Sequence, residues 1–151
     1  MARIAKKPGD LLILPLSTQG THAYCQWLPD GTARFFLAAC TTELKADEIV
    51  ALPVAFRVLV FNDTPNRYNW AKVGKSDIPA SCINPQLYAK KDAITGKLSI
   101  YSEGNEKPAT PDEVKGLESM AVWAHPHIVE RLEAQLEGKE SMFLRSISVL
   151  A

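Results

Sequence analysis

Short apolar segments separated by turn residues make up most of this chain, a pattern typical of β-strands. Residues 11–16 form an apolar run that directly follows the turn signal Pro8-Gly9-Asp10. Residues 24–28 and 32–40 flank Asp30-Gly31, and an Asp-Gly pair between two apolar runs is a strong hairpin signal. The first forty residues therefore predict three strands that follow one another as a meander.

The clearest buried strand covers residues 54–61, where Val54, Phe56, Val58 and Val60 fall on one face. Weaker segments with the same character predict further strands. These are residues 69–74, the hairpin pair 87–90 and 98–101, and residues 143–149.

The best helical pattern lies late in the chain, over residues 126–137, and Gly138 is its stop signal. Its apolar side chains form a stripe about 100° wide, which is the width expected of a helix lying on a core. The stripe consists of Ile128, Val129, Leu132 and Leu136.

Two shorter helices and several loops complete the predicted elements. Residues 46–52 predict a helix before Pro53, because the residue preceding a proline disfavours helical geometry. The capping box Thr110-Pro111-Asp112-Glu113 predicts a second helix that ends near Gly116. Residues 62–66 and 102–111 are predicted to be loops, and residues 75–85 to be irregular.

These elements predict a mainly β fold of the α+β class. We expect a bent antiparallel sheet or a small barrel with one C-terminal amphipathic helix covering a face or an open end. A chain of 151 residues predicts one domain, residues 1–151. The expected core consists of Leu12, Leu14, Phe36, Val54, Phe56, Val58, Val60, Leu132 and Leu136.

The composition is that of an ordinary globular protein, with 46% hydrophobic and 23% charged residues. The formal net charge of zero argues against a general nucleic-acid binder, which normally carries a basic excess. The charge is unevenly distributed, because Lys and Arg predominate up to residue 102 and Asp and Glu predominate over residues 103–140.

Four glutamates of the late helix form the candidate partner-binding site. They lie within about 80° on a helical wheel, on the side opposite Ile128 and Leu132. Such a row suits a basic protein partner, and a solvated helix face is the alternative interpretation. The row consists of Glu130, Glu133, Glu137 and Glu140.

Candidate catalytic and metal-binding residues are weak. The three cysteines show no CxxC spacing and are expected to be inert packing residues in a reducing compartment. His125 and His127 flank Pro126, where a helix start would make their side chains diverge. We therefore expect no metal, no cofactor and no catalytic residue. The sequence pattern predicts neither a signal peptide nor a membrane span, so we expect a cytoplasmic location.

A group of lysines accompanied by aromatic residues resembles the surfaces that bind single-stranded nucleic acid by charge and stacking. Outward lysines and inward aromatic residues are the favoured interpretation, because the overall charge is neutral. The group consists of Lys72, Lys75, Lys90, Lys91 and Lys97 with Tyr68, Trp70, Tyr88 and Tyr101.

Three short motifs resemble the immunity protein 26 family of bacterial polymorphic toxin systems. They are Lys7-Pro8-Gly9-Asp10 with its following strand, Leu52-Pro53-Val54, and Trp70-Ala71-Lys72-Val73-Gly74 followed by Ile78-Pro79. The resemblance covers about half the chain, mostly residues 7–80. It implies a mostly β cytoplasmic protein that binds and neutralises a cognate toxin, and it carries over no catalytic residue.

Two other functions stay open. Gly9-Asp10 before an apolar strand also resembles the start of the small ribonuclease barrels of toxin–antitoxin modules, although the Arg-Pro pair expected later is missing. A β domain that binds a small ligand through its aromatic residues is the third interpretation. We expect a protein without enzymatic activity, with a protein toxin as its partner and without binding to nucleic acid or membranes.

Overall fold

β-Strands dominate the computed structural model, which describes residues 7–150. Ten strands are present in this part of the chain: β1 Asp10–Pro15, β2 His22–Trp27, β3 Thr32–Phe36, β4 Val54–Val60, β5 Ala71–Lys75, β6 Tyr88–Lys91, β7 Leu98–Ser102, β8 Asn105–Pro108, β9 Glu118–Ser119 and β10 Val122–Trp123. The helices are α1 Ala46–Val50, α2 Thr64–Arg67, α3 Pro111–Val114, α4 His125–Leu136 and α5 Met142–Ile147, with a 3-10 turn at Ala80–Cys82.

The strands form two open, mixed sheets. The first sheet has the order β10-β4-β3-β2-β1-β5, and the second has the order β8-β7-β6-β9. Neighbouring strands are antiparallel except for β10 beside β4 and β9 beside β6, which are parallel. The predicted mainly β class is confirmed. Each sheet ends in an edge strand, so the described residues form no closed barrel.

Turn chemistry explains how the first sheet begins. Gly9 has φ +94°, and a Cβ built on it would lie 3.0 Å from the carbonyl oxygen of Ser76. A side chain at this position would therefore be both strained and obstructed. The predicted β2–β3 hairpin is confirmed, with Gly31 in the left-handed region and the Asp30 carboxylate accepting the Thr32 N–H at 3.1 Å.

The main core lies between one face of the first sheet and α4. Seven of the expected core residues are buried, and Phe36 among them belongs to a separate cluster under α1 with Leu11, Tyr24 and Ile49. Two expectations are wrong, because Val54 is 47% exposed and Leu136 is 41% exposed. Val54 starts β4 beyond a register shift in its pairing with β3, and Leu136 is the last residue of α4.

The end of the chain is helical, which contradicts the strand predicted over residues 143–149. Ser141 caps α5, since its hydroxyl accepts the Leu144 N–H at 3.1 Å. Phe143, Leu144 and Ile147 then pack against the main core at helical spacing. These apolar residues are among those from which the strand was predicted, but in the structure they lie on one side of a helix.

Two predicted loops contain regular structure. Within residues 102–111, strand β8 pairs with β7 through a two-residue turn at Glu103 and Gly104, which have φ values of 46° and 83°. Positive φ at both central residues is the geometry of a type I′ hairpin. Within the predicted loop 62–66, residues from Thr64 onward begin α2.

Strands β9 and β10 join the two sheets, and the sequence did not predict them. They are consecutive in the chain, yet β9 pairs with β6 in the second sheet and β10 pairs with β4 in the first. Arg131 of α4 holds Glu118 of β9 in a bidentate ion pair, with N–O distances of 2.8 and 2.7 Å. The helix therefore contacts both sheets.

Candidate protein-binding face

Helix α4 positions the candidate site by burying one face and exposing the other. It buries Ile128, Val129, Arg131 and Leu132, and Pro126 lies in its first turn. Proline is well tolerated there, because the first N–H groups of a helix have no intrahelical partner. The opposite face carries Glu130 and Glu133. The predicted row is only partly helical, because α4 ends at Leu136, Glu137 follows it, and Glu140 lies beyond Gly138 in the segment before α5. We name the four glutamates Glu130, Glu133, Glu137 and Glu140 the acidic row.

Glu130 has a structural role within the acidic row. Its carboxylate accepts the Ser141 hydroxyl at 2.6 Å and the backbone N–H groups of Met142 at 3.3 Å and Phe143 at 3.2 Å. These N–H groups belong to the first turn of α5, which lacks intrahelical acceptors. Glu130 therefore fixes α5 against α4.

The other three glutamates are also paired, but close to the surface. Glu133 accepts a hydrogen bond from the hydroxyl of Ser17. Glu137 lies 3.2 Å from the ammonium of Lys139, and Glu140 lies 3.8 Å from the guanidinium of Arg145. Both ion pairs are more than half exposed, so they contribute little to stability and exchange readily for an external cation.

An open groove of about 400 Å³ runs beside the N-terminal half of α4. Apolar side chains and two carboxylates of the acidic row share its surface. Such a combination accepts a lysine or arginine side chain, whose aliphatic stem packs on apolar atoms while its charged end reaches a carboxylate. The groove is lined by Leu16, Ser17, His125, Pro126, Val129, Glu130 and Glu133.

His125 is held by two aromatic residues at one end of this groove. The indole N–H of Trp70 donates to Nδ1 of His125 at 2.9 Å, and the ring of Tyr68 stacks on the imidazole with a centroid distance of 4.5 Å. Burial lowers the pKa of His125, which favours the neutral ring that accepts this hydrogen bond.

His127 points elsewhere, as expected of residues on either side of a proline at a helix start. Its ring stacks on Phe143 of α5 at 3.7 Å between centroids. Within the described ranges, no group of three or more His, Cys, Asp or Glu side chains is placed to hold a metal ion.

The remaining candidate residues are distributed through the fold. Cys25 is fully buried, and burial raises the pKa of its thiol, which makes the reactive thiolate unfavourable. The lysine and aromatic group is divided between the sheets. Trp70 and Tyr88 are buried, and Lys72 and Lys90 form ion pairs with Asp10 and Glu106. These residues do not present a continuous stacking surface.

Sequence analysis named Glu130 and Glu133 as candidate partner-binding residues, but it did not predict that Leu16 and Ser17 lie beside them in a groove. Leu16 and Ser17 lie more than a hundred residues before Glu133 and contribute side chains from the end of the first strand. No local pattern connects residues so far apart, since their contact depends on how α4 packs on the sheet.

No protein-family model, curated protein or solved structure matches this chain. None of the helices in residues 7–150 has the length and apolar character needed to cross a bilayer.

Proposed function

We propose that this protein is an immunity protein that binds and neutralises a basic cognate toxin through the acidic row and the adjoining groove. The observation that carries the proposal is the groove itself, where Leu16, Pro126 and Val129 adjoin the carboxylates of Glu130 and Glu133. A lysine or arginine of the toxin would place its stem on the apolar side chains and its charge beside the carboxylates. The motifs in residues 7–80 that resemble immunity proteins support the same role.

The acidic row would act mainly on recognition and association. Exposed carboxylates of one sign attract a cationic partner over a distance and raise the association rate, with a modest effect on the affinity itself. The surface pairs with Lys139 and Arg145 do not oppose this, because both are exposed and weak. The protein would work in the cytoplasm by stoichiometric binding, without catalysis.

Coexpression with the toxin tests this proposal. The proposal predicts that a large secreted protein is encoded beside this chain, and the C-terminal toxin domain of that protein is the probe. We expect the native chain to protect cells and the variant Glu133→Lys/Glu137→Lys/Glu140→Lys to associate at least about tenfold more slowly at low salt. Glu130 is left unchanged, because its carboxylate holds the first turn of α5.

A matched control separates the acidic row from net charge. Glu43→Lys/Glu103→Lys/Asp112→Lys changes the charge equally at exposed carboxylates elsewhere on the surface. It should protect cells and bind the toxin domain almost as fast as the native chain. Equal rates for both triple variants would place the interface elsewhere, and failure of the native chain to protect would contradict the proposed function.

A further inference from the structure

A row of polar side chains crosses the face of the first sheet opposite α4. Gln26 of β2 lies directly opposite Arg34 of β3, and Arg34 lies directly opposite Arg57 of β4. Side chains paired in this way lie on the same face, about 5 Å apart at Cβ. Two guanidinium groups are therefore neighbours on a face that is largely covered.

Arg57 is paired with an acid and two further acceptors. It donates to the Asp30 carboxylate at 2.9 Å, to the Thr32 hydroxyl at 2.8 Å and to the Asn84 carbonyl at 3.0 Å. Burial works to raise the pKa of Asp30, but hydrogen bonds from Thr32 and Gln86 and the charge of Arg57 outweigh it and lower that pKa. Asp30 is therefore an ionised carboxylate that is paired with Arg57.

Arg34 has no comparable acid. It is only 7% exposed, its Nε donates to the Gln26 side-chain oxygen at 2.8 Å, and its guanidinium lies 4.9 Å from the ring centre of Phe36. Among residues 7–150, its two terminal nitrogens have no hydrogen-bond acceptor and no carboxylate within 4.0 Å. Both nitrogens reach solvent through the small exposed area of the side chain, yet an arginine buried to this extent without an acid is rare.

The surroundings hold Arg34 in place. The side-chain nitrogen of Gln26 donates to the carbonyl oxygens of Ser76 at 2.9 Å and of Gly9 and Asp77 at 3.3 Å. These bonds fix Gln26 and direct its oxygen to Arg34. The turn at Gly9 therefore helps to hold this arginine in place.

One segment, residues 76–86, crosses above the polar row in the order of the strands. Gln26 binds its start at Ser76, and Asp30 and Arg57 bind its end at Gln86 and Asn84. Between these two attachments, no side-chain hydrogen bond within the described chain ties residues 78–83 to the sheet. Cys82, which belongs to this interval, is close enough to Arg34 for the two side chains to interact electrostatically.

We propose that Arg34 binds a small carboxylate, which reaches its terminal nitrogens through their small exposed area and supplies a negative charge that the described residues do not. One guanidinium with two free terminal nitrogens matches one carboxylate in both charge and geometry, since the pair forms two parallel hydrogen bonds. The small exposed area of Arg34 excludes bulky ligands. A free small acid and an aspartate or glutamate side chain of another protein offer the same chemistry.

Titration of the native chain with sodium acetate at constant ionic strength tests the site. The Nε–H signal of Arg34 in a ¹⁵N–¹H NMR spectrum should shift in a saturable manner. The melting temperature should rise with acetate in the native chain and in Arg67→Met, an exposed control, but not in Arg34→Met. The NMR titration needs no variant, so it tests carboxylate binding at Arg34 even if Arg34→Met fails to fold.

A blocked aspartate, N-acetyl-aspartyl amide, distinguishes the two sources of the carboxylate. Binding that is tighter than that of acetate supports a side chain presented by a protein, and binding of acetate alone supports a free acid. The inference is overturned if neither probe shifts the Arg34 signal, or if Arg34→Met and the native chain gain the same stability. Because the site lies on the face opposite α4, these results are independent of the proposed toxin binding.

Discussion

At the scale of single residues, several side chains of potentially reactive types have structural roles instead. Glu130 holds α5, Cys25 is a buried packing residue, and His125 receives a hydrogen bond from Trp70. The sequence shows the type of each of these residues, but it does not show which residues each side chain contacts. His125 offers the most direct test, because its environment changes its titration.

The stability of the protein should fall below about pH 6.5 because of His125. Burial lowers the pKa of this imidazole in the folded state, so the unfolded chain takes up a proton that the folded chain resists. The contribution of His125 is therefore complete above the unfolded pKa and is lost as the pH falls through that value towards the folded pKa. Urea denaturation at pH 7.5 and pH 5.5 measures the change in the free energy of unfolding.

The variant His125→Asn is the control for this pH dependence. The asparagine side-chain oxygen can accept the Trp70 N–H as Nδ1 does, but the amide does not titrate. We expect the variant to lose less stability than the native chain between the two pH values. Equal losses would show that His125 does not contribute.

At the element scale, β4 shows how position along a strand decides burial. Val54 and Val58 lie in the same strand and share the same alternation, yet Val54 is 47% exposed and Val58 is 1% exposed. The register of β3 against β4 shifts between Phe35 and Phe36, so the alternation does not continue unchanged to the start of the strand. A bulge of this kind leaves no reliable signal in the residue pattern.

The same substitution at these two valines should have very different effects. Val58→Asp buries a carboxylate without a partner, and we expect a loss of about 3 kcal/mol or more in the free energy of unfolding. Val54→Asp should cost less than about 1 kcal/mol, because its carboxylate remains hydrated. Urea denaturation of both variants measures the difference, and similar losses would show that the strand is placed incorrectly.

At the scale of the whole molecule, a few contacts connect the two sheets. β9 and β10 place one short segment in both sheets, and Arg131 ties Glu118 of this segment to α4. Asp30 of the first sheet also accepts the backbone N–H of Gln86, which lies just before β6. Since a largely buried ion pair and a hydrogen bond from a backbone N–H span the junction, we expect the sheets to unfold together.

Two probes on different sheets test this single-domain prediction. Trp27, Trp70 and Trp123 lie in the core of the first sheet, so tryptophan fluorescence reports on that sheet. Hydrogen exchange of the β6 and β7 amides reports on the second sheet. The two transitions should have the same urea midpoint, and loss of protection in β6 and β7 at lower urea would indicate two units.

Much of the fold was predictable because it depends on neighbours in the chain. The turn at Gly9, the Asp30-Gly31 hairpin, the Thr110 capping box and the apolar stripe of α4 each follow from residues within a few positions of one another. Local backbone preference and side-chain periodicity are sufficient for such features. Glu130 and Glu133 were found in the same way, from their spacing on one helix, whereas Glu137 and Glu140 lie beyond the end of that helix.

Sequence by itself therefore determined the mainly β class, most strands and the principal helix. Only the tertiary structure decided that residues 143–149 are largely helical, because the first turn of α5 depends on Glu130 of another helix. It also decided that Ser17 contacts Glu133, and that Arg57 pairs with Asp30 while Arg34 has no acid partner among residues 7–150. These outcomes depend on contacts between residues distant in the chain, and such contacts exist only after the sheets and helices have packed.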